Sequence, residues 1–178
     1  MSTSIRKTNW VRVSLALIMA LLVAACAQPA KKEAMIPSSV TALGLNEAFR
    51  GTLGTVSVTG GKKTNPLWVS NISNEDFAAS LRESLRAQGY FAQGGPDRVQ
   101  VILLSVEQPL LGADFTVTMS ARYTITDAAG TTKFDQTIKA PYTAKFGDSL
   151  IGVQRLRLAN EGAARENIKK FMEALAQS

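Results

Sequence analysis

The 178-residue chain has no histidine and a single cysteine, Cys26. These two absences exclude a good deal of chemistry. Without an imidazole there is no Ser-His-Asp or Cys-His catalysis, and one thiol cannot build a zinc, haem or iron–sulfur site of the usual kinds. No disulfide can form within the chain, so its stability must come from its core. No block of lysine and arginine is long enough to track a phosphate backbone, so nucleic acid is not an expected partner. The longest apolar run, residues 13–25, falls short of the roughly 20 residues that span a bilayer.

That run is nevertheless informative. Arg6, Lys7 and Arg12 precede it, and it ends Leu22-Val23-Ala24-Ala25-Cys26. A basic start, a short apolar stretch and small residues before a cut site make a secretory signal peptide. The ending looks like a bacterial lipobox, in which the cysteine is acylated with palmitate-type chains and becomes the new N-terminus. We expect a lipoprotein signal peptide over 1–25, a lipidated Cys26 with a flexible tether over 26–39, and one periplasmic domain over 40–178. Ala27 stands where an aspartate would favour the inner membrane, so the expected address is the periplasmic face of the outer membrane. The whole chain carries 20 Lys and Arg against 14 Asp and Glu. The leader holds three of the bases and no acids, so the mature chain is only mildly basic, at +3.

Periodicity outlines the domain. Residues 53–59 alternate as a strand and are broken by Gly60-Gly61-Lys62-Lys63-Thr64. This turn resembles the tail of a phosphate-binding loop, but position 56 holds Val56 where the motif needs glycine, and no helix starts at it. A helix follows, with Ser73 or Asn74 as its cap, Phe77, Ala78, Leu81 and Leu85 as its apolar stripe and Gly89 as its stop. Residues 98–107 are apolar on both faces and read as a central strand covered on both sides. Residues 114–127 alternate cleanly, Phe115 to Ile125 inward and Thr116 to Thr126 outward, as a half-exposed strand. A turn at 127–130 returns the chain along 131–145, where Pro141 marks a sheet edge. A second helix runs from about 155 or 159 to 176. The expected fold is α+β: a mainly antiparallel four-stranded sheet with two helices on one face, in the order β-α-β-β-β-α.

This topology brings three loops to one end of the sheet. They carry Leu67 and Trp68, Leu110 and Leu111, and Leu150 and Ile151, which together form a candidate partner-binding patch. Folding back to plug the core is the other reading of the same residues. For catalysis, Glu107 and Asp114 flank one loop, and Lys145 lies near Ser149 in another. Both arrangements are ordinary for turns, and the acids are too few for a cation. No catalytic residue, metal or cofactor is expected.

Several stretches carry a resemblance: Thr59-Gly60-Gly61-Lys62, Thr64-Asn65-Pro66-Leu67-Trp68, Gln108-Pro109-Leu110, Phe146-Gly147-Asp148 and residues 155–162. Over residues 50–176 they resemble a family of small proteobacterial outer-membrane lipoproteins of unassigned activity, some labelled UDP-N-acetylglucosamine acyltransferase. Enzymes of that name are hexapeptide-repeat β-helices with a catalytic histidine, and this chain has neither. In element order it is also similar to the lipoprotein subunit of the lipopolysaccharide-export translocon. These likenesses imply a non-enzymatic envelope lipoprotein, held in the membrane through Cys26, that binds or helps assemble a protein or envelope component. An acyl-chain carrier or sensor is the alternative, and an acyltransferase the third.

Overall fold

The computed structural model describes residues 27–38, 44–65 and 70–178. The leader, Cys26, Leu67 and Trp68 lie outside the described residues. One four-stranded sheet has strand order β1-β2-β3-β4, with β1 Leu53–Thr59, β2 Asp97–Glu107, β3 Phe115–Thr126 and β4 Thr132–Ala144. β1 pairs parallel to β2, and the other two pairings are antiparallel. Helix α1, Asn74–Ala87, is the crossover between the parallel strands, and helix α2, Gly152–Gln177, follows β4. This is the expected α+β architecture, with both helices on one face.

Local chemistry sets the ends of α1. The Ser73 hydroxyl accepts from the Asp76 N–H at 3.0 Å, and Glu75 and Asp76 lie in the first turn, where the helix dipole favours negative charge. At the other end Gly89 has φ +78°. The Gly89 N–H reaches the Arg86 carbonyl at 3.0 Å and the Tyr90 N–H reaches that of Leu85 at 2.9 Å, the paired bonds of a Schellman stop. Leu85 and Tyr90 are both buried, which supplies the hydrophobic contact that accompanies such stops.

Between the layers lie Phe77, Leu81 and Leu85 of α1, the inward residues of β3 from Val117 to Ile125, and Ile168, Phe171, Met172 and Leu175 of α2, all buried. Tyr123 stacks on Phe171 with ring centres 4.0 Å apart, and Phe134 meets Phe171 edge-on. The Tyr123 hydroxyl donates to Asn167 Oδ1 at 2.7 Å. Asn167 Nδ2 in turn donates to the Met119 and Ile138 carbonyls at 3.2 and 2.8 Å. One amide thus joins α2 to both strands it covers. Close approach is needed a turn and a half earlier: a Cβ on Gly162 would lie 2.1 Å from the Tyr142 ring.

Three expectations need correction. β2 is central but covered on one face only, because Ile102 and Leu104 are exposed on the open side of the sheet. α2 begins at Gly152, earlier than the 155 or 159 expected. The segment expected to be a flexible tether is instead built into the domain over residues 27–38. Met35 is fully buried and Ala27 and Ala30 nearly so. The Ala30 N–H donates to the Asn71 carbonyl at 3.2 Å and the Lys31 N–H to Glu161 Oε1 at 2.9 Å. The Lys32 carbonyl accepts from Ser80 Oγ and the Ala34 carbonyl from Arg165 Nη1, each at 2.8 Å. The segment's backbone is thereby paired from both helices, and Met35 has a seat in the core.

Two outcomes test this packing. Gly162→Ala should gain about 1 kcal/mol of helix propensity but cost about 1–3 kcal/mol through overpacking against Tyr142. A net loss in urea denaturation is expected, reversed when Tyr142→Ala is added. Burial raises the pKa of Tyr123 well above the ordinary value. Its contribution to stability is therefore whole below the unfolded tyrosine pKa of about 10 and is lost as pH rises beyond it. Tyr123→Phe should be less stable at neutral pH, with a shallower decline in stability above pH 10.

Candidate functional site

The sheet end at which β2 stops and β3 starts gathers the β2–β3 loop (108–114), the segment 145–151 and the first turns of α2. The polar groups of these loops are spent on each other. Asp114 Oδ1 accepts from the Phe146 N–H and Asp148 Oδ2 from the Lys145 N–H, both at 2.8 Å. Arg155 is buried, and its Nη1 donates to the Ser149 carbonyl at 2.6 Å. Its guanidinium lies over the rings of Phe115 and Phe146, 4.6 and 5.2 Å from their centres. A cation held between two aromatic faces fixes the segment 145–151 to both β3 and α2.

Asp114 and Asp148 remain exposed, and beside them the loops present apolar side chains. Leu110 is 96% exposed, Leu111 90% and Leu150 76%, with Ile151 and Phe146 exposed to a lesser degree. Four of the six candidate patch residues thus share one end of the molecule on the surface. The other two, Leu67 and Trp68, lie outside the described residues, but the chain beside them is tied to the same end. The Ser70 carbonyl accepts from Gln108 Nε2 at 3.0 Å and from Asn160 Nδ2 at 2.8 Å, and Gln108 Nε2 also donates to Asn160 Oδ1 at 3.0 Å.

The stretches that carried the family resemblance are largely the parts of this clamp. Gln108 and Asn160 close it, Phe146 and Arg155 brace it, and Glu161 and Gly162 seat the N-terminal segment and Tyr142. Gly60, at φ +84°, leaves no room for a side chain, since a Cβ there would meet the Leu103 carbonyl oxygen at 2.3 Å. The Gly61 N–H donates to Asn74 Oδ1 at 2.7 Å. This glycine pair serves a close crossing of backbones.

The site lacks the arrangement that acid–base chemistry needs. Glu107 pairs with Lys139 at 3.8 Å while Asp114 caps a backbone amide, so the two carboxylates that flank the loop have separate partners. The described carboxylates with shifted pKa values are all shifted downward. The Arg50 hydrogen bond does this for Glu47, the Thr131 backbone amide for Asp127, and the Arg122 hydrogen bond for Asp135. A general acid would need the opposite shift. Among the described residues no group of three or more potential metal ligands occurs. An open groove of about 480 Å³ runs beside the clamp, lined by Lys62, Asn71, Leu104 and Gln108 among others. Sequence reasoning missed the N-terminal segment, which reaches this end through the contact of Gln28 with Arg157. Its only sequence signal was the apolar pair Met35-Ile36.

No family model and no curated protein matches the chain. Solved structures do share its fold. A Xanthomonas campestris protein of family DUF330 superposes with a TM-score of 0.51 at 10% identity, covering 73% of this chain and 88% of that one. A minor lipoprotein from Acinetobacter baumannii gives 0.51 at 11% identity, covering 71% and 94%. The rare lipoprotein B of Shewanella oneidensis gives 0.43 at 12% identity, covering 70% and 95%. At such identities the likeness is one of fold. The architecture is thus one shared with the Acinetobacter lipoprotein.

Arg155→Ala removes the stacked cation and a charged-group hydrogen bond. A loss of about 1–3 kcal/mol in urea denaturation is expected. Hydrogen exchange should accelerate in the segment 145–151 and remain unchanged at the far hairpin, residues 127–130.

Proposed function

We propose that this chain is a non-enzymatic lipoprotein of the cell envelope, cleaved after Ala25 and acylated at Cys26. It is held at the periplasmic face of the outer membrane and works as a binding or assembly accessory for a protein or another envelope component. The observation that carries this reading is the seating of residues 27–38. A chain that enters its folded domain one residue after the acylated cysteine ties that domain to the membrane, which suits a part that must be positioned more than one that must diffuse.

The side-chain chemistry favours binding over catalysis. The acids at the loop end are engaged in caps and ion pairs, and a chain without histidine has no side chain that ordinarily titrates near neutral pH once its one thiol is acylated. What the domain leaves uncovered is surface for binding: the apolar loop end, and the open sheet face with its row of Thr116, Thr118, Ser120, Arg122, Thr124 and Thr126. The layer between helices and sheet is filled by the buried residues named above, so an acyl chain carried there would have to displace them.

In the producing cell, Cys26→Ser should abolish incorporation of labelled palmitate into the chain with its fold intact. Photo-crosslinkers at Thr118 and Leu150 in the acylated chain should give adducts with a defined envelope component. A Cys26→Ser chain that still takes up palmitate contradicts the anchor. An acylated chain that yields no adduct from either position contradicts the accessory role.

A further inference from the structure

The N-terminal segment and the exposed leucines meet at the same end of the molecule. Gln28 contacts Arg157, Lys31 contacts Glu161 and Ala34 contacts Arg165. Residues 28–34 therefore run alongside α2 in the same direction as the helix, starting near its N-terminus. Arg157 is five residues beyond Gly152, which at the α-helical rise is about 7.5 Å along the axis. Gly152 itself follows the exposed Leu150-Ile151 pair. Covalent geometry keeps the Cα of Cys26 about 3.8 Å from that of the buried Ala27. No length of free chain separates the acylated residue from the domain.

We propose that the loop end is a membrane-docking surface: Leu110, Leu111 and Leu150 enter the interfacial layer of the bilayer that holds the Cys26 acyl chains. The inference rests on the reading of Cys26 as lipidated and commits the apolar patch to lipid, where a protein partner or a second copy would be the other occupants. Two observations carry it. An anchor fused to this end holds the end at the bilayer surface, where interfacial segments sit about 5–10 Å into the headgroup boundary. Leu110, Leu111 and Leu150 are also largely exposed, and Arg155 ties the segment that carries Leu150 to Phe115 and the start of α2.

The test uses the full chain, acylated by its host and reconstituted in phosphatidylethanolamine–phosphatidylglycerol vesicles. Acylation consumes the only native thiol, so single cysteines introduced as Leu110→Cys, Leu150→Cys and, at the far hairpin, Ala128→Cys can each take an environment-sensitive fluorophore. Labels at 110 and 150 should shift to the blue and lose emission to lipids carrying a nitroxide in the acyl chain, while the label at 128 does neither. Leu111→Asp should lift the label at 150 back toward water. Labels at 110 and 150 that report water overturn the proposal. So do labels that shift to the blue but ignore the nitroxide, since that outcome places protein over the patch. The intact mass and the maleimide reactivity of the unmutated chain report acylation separately. An unmodified mass with a reactive Cys26 overturns the anchor reading, whereas an acylated mass with wet labels overturns the docking alone.

Discussion

Four buried polar side chains on α2 fix the rotational setting of that helix, and the rest of the molecule is arranged around it. Arg155 holds the loop after β4, Asn160 holds the chain before α1, Glu161 holds the N-terminal segment and Asn167 holds β3 and β4. A hydrogen bond contributes only about 0.5–1.5 kcal/mol net, but leaving a buried polar group unpaired costs about 1–3 kcal/mol. The four contacts therefore act less as a sum of stabilities than as a penalty on every other setting. A helix turned by one residue would still bury leucines and alanines, but it would orphan these groups together.

Much of the fold was legible because its elements announce themselves locally. The Ser73 cap, the Gly89 stop and the strict alternation of β3 are short-range signals, and each led to the observed element. Misreadings arose where the deciding interaction lies far away in sequence. Two apolar faces on β2 suggested cover on both sides, yet Ile102 and Leu104 are exposed, because both described helices lie on the other face. Prolines, lysines and alanines around Met35 read as a linker. Its seat depends on Glu161, Ser80 and Arg165, none of which marks itself as a partner from that distance.

The loop end was legible for a different reason: the meander alone determines that the 108–114 and 145–151 loops emerge together. Topology could not say whether their leucines point out or in. That depends on the two aspartate caps and on an arginine stacked between two rings, which are side-chain choices invisible to periodicity. The stretches that suggested kinship proved to be mainly the clamp of that end. Their residue types are explained by packing and backbone approach, with no need of a reaction.

The direction of the N-terminal segment has a mechanical consequence. Residues 28–34 lie along α2, and the chain leaves the domain at the helix's N-terminal end. A pull on the chain at Ala27, directed away from the domain along α2, acts nearly parallel to the row of contacts at Arg157, Glu161 and Arg165. Such a load falls on the contacts in shear, so they resist together. The opposite polarity would let the segment unzip one contact at a time. The segment thus bears a load at its N-terminal end along its strongest direction.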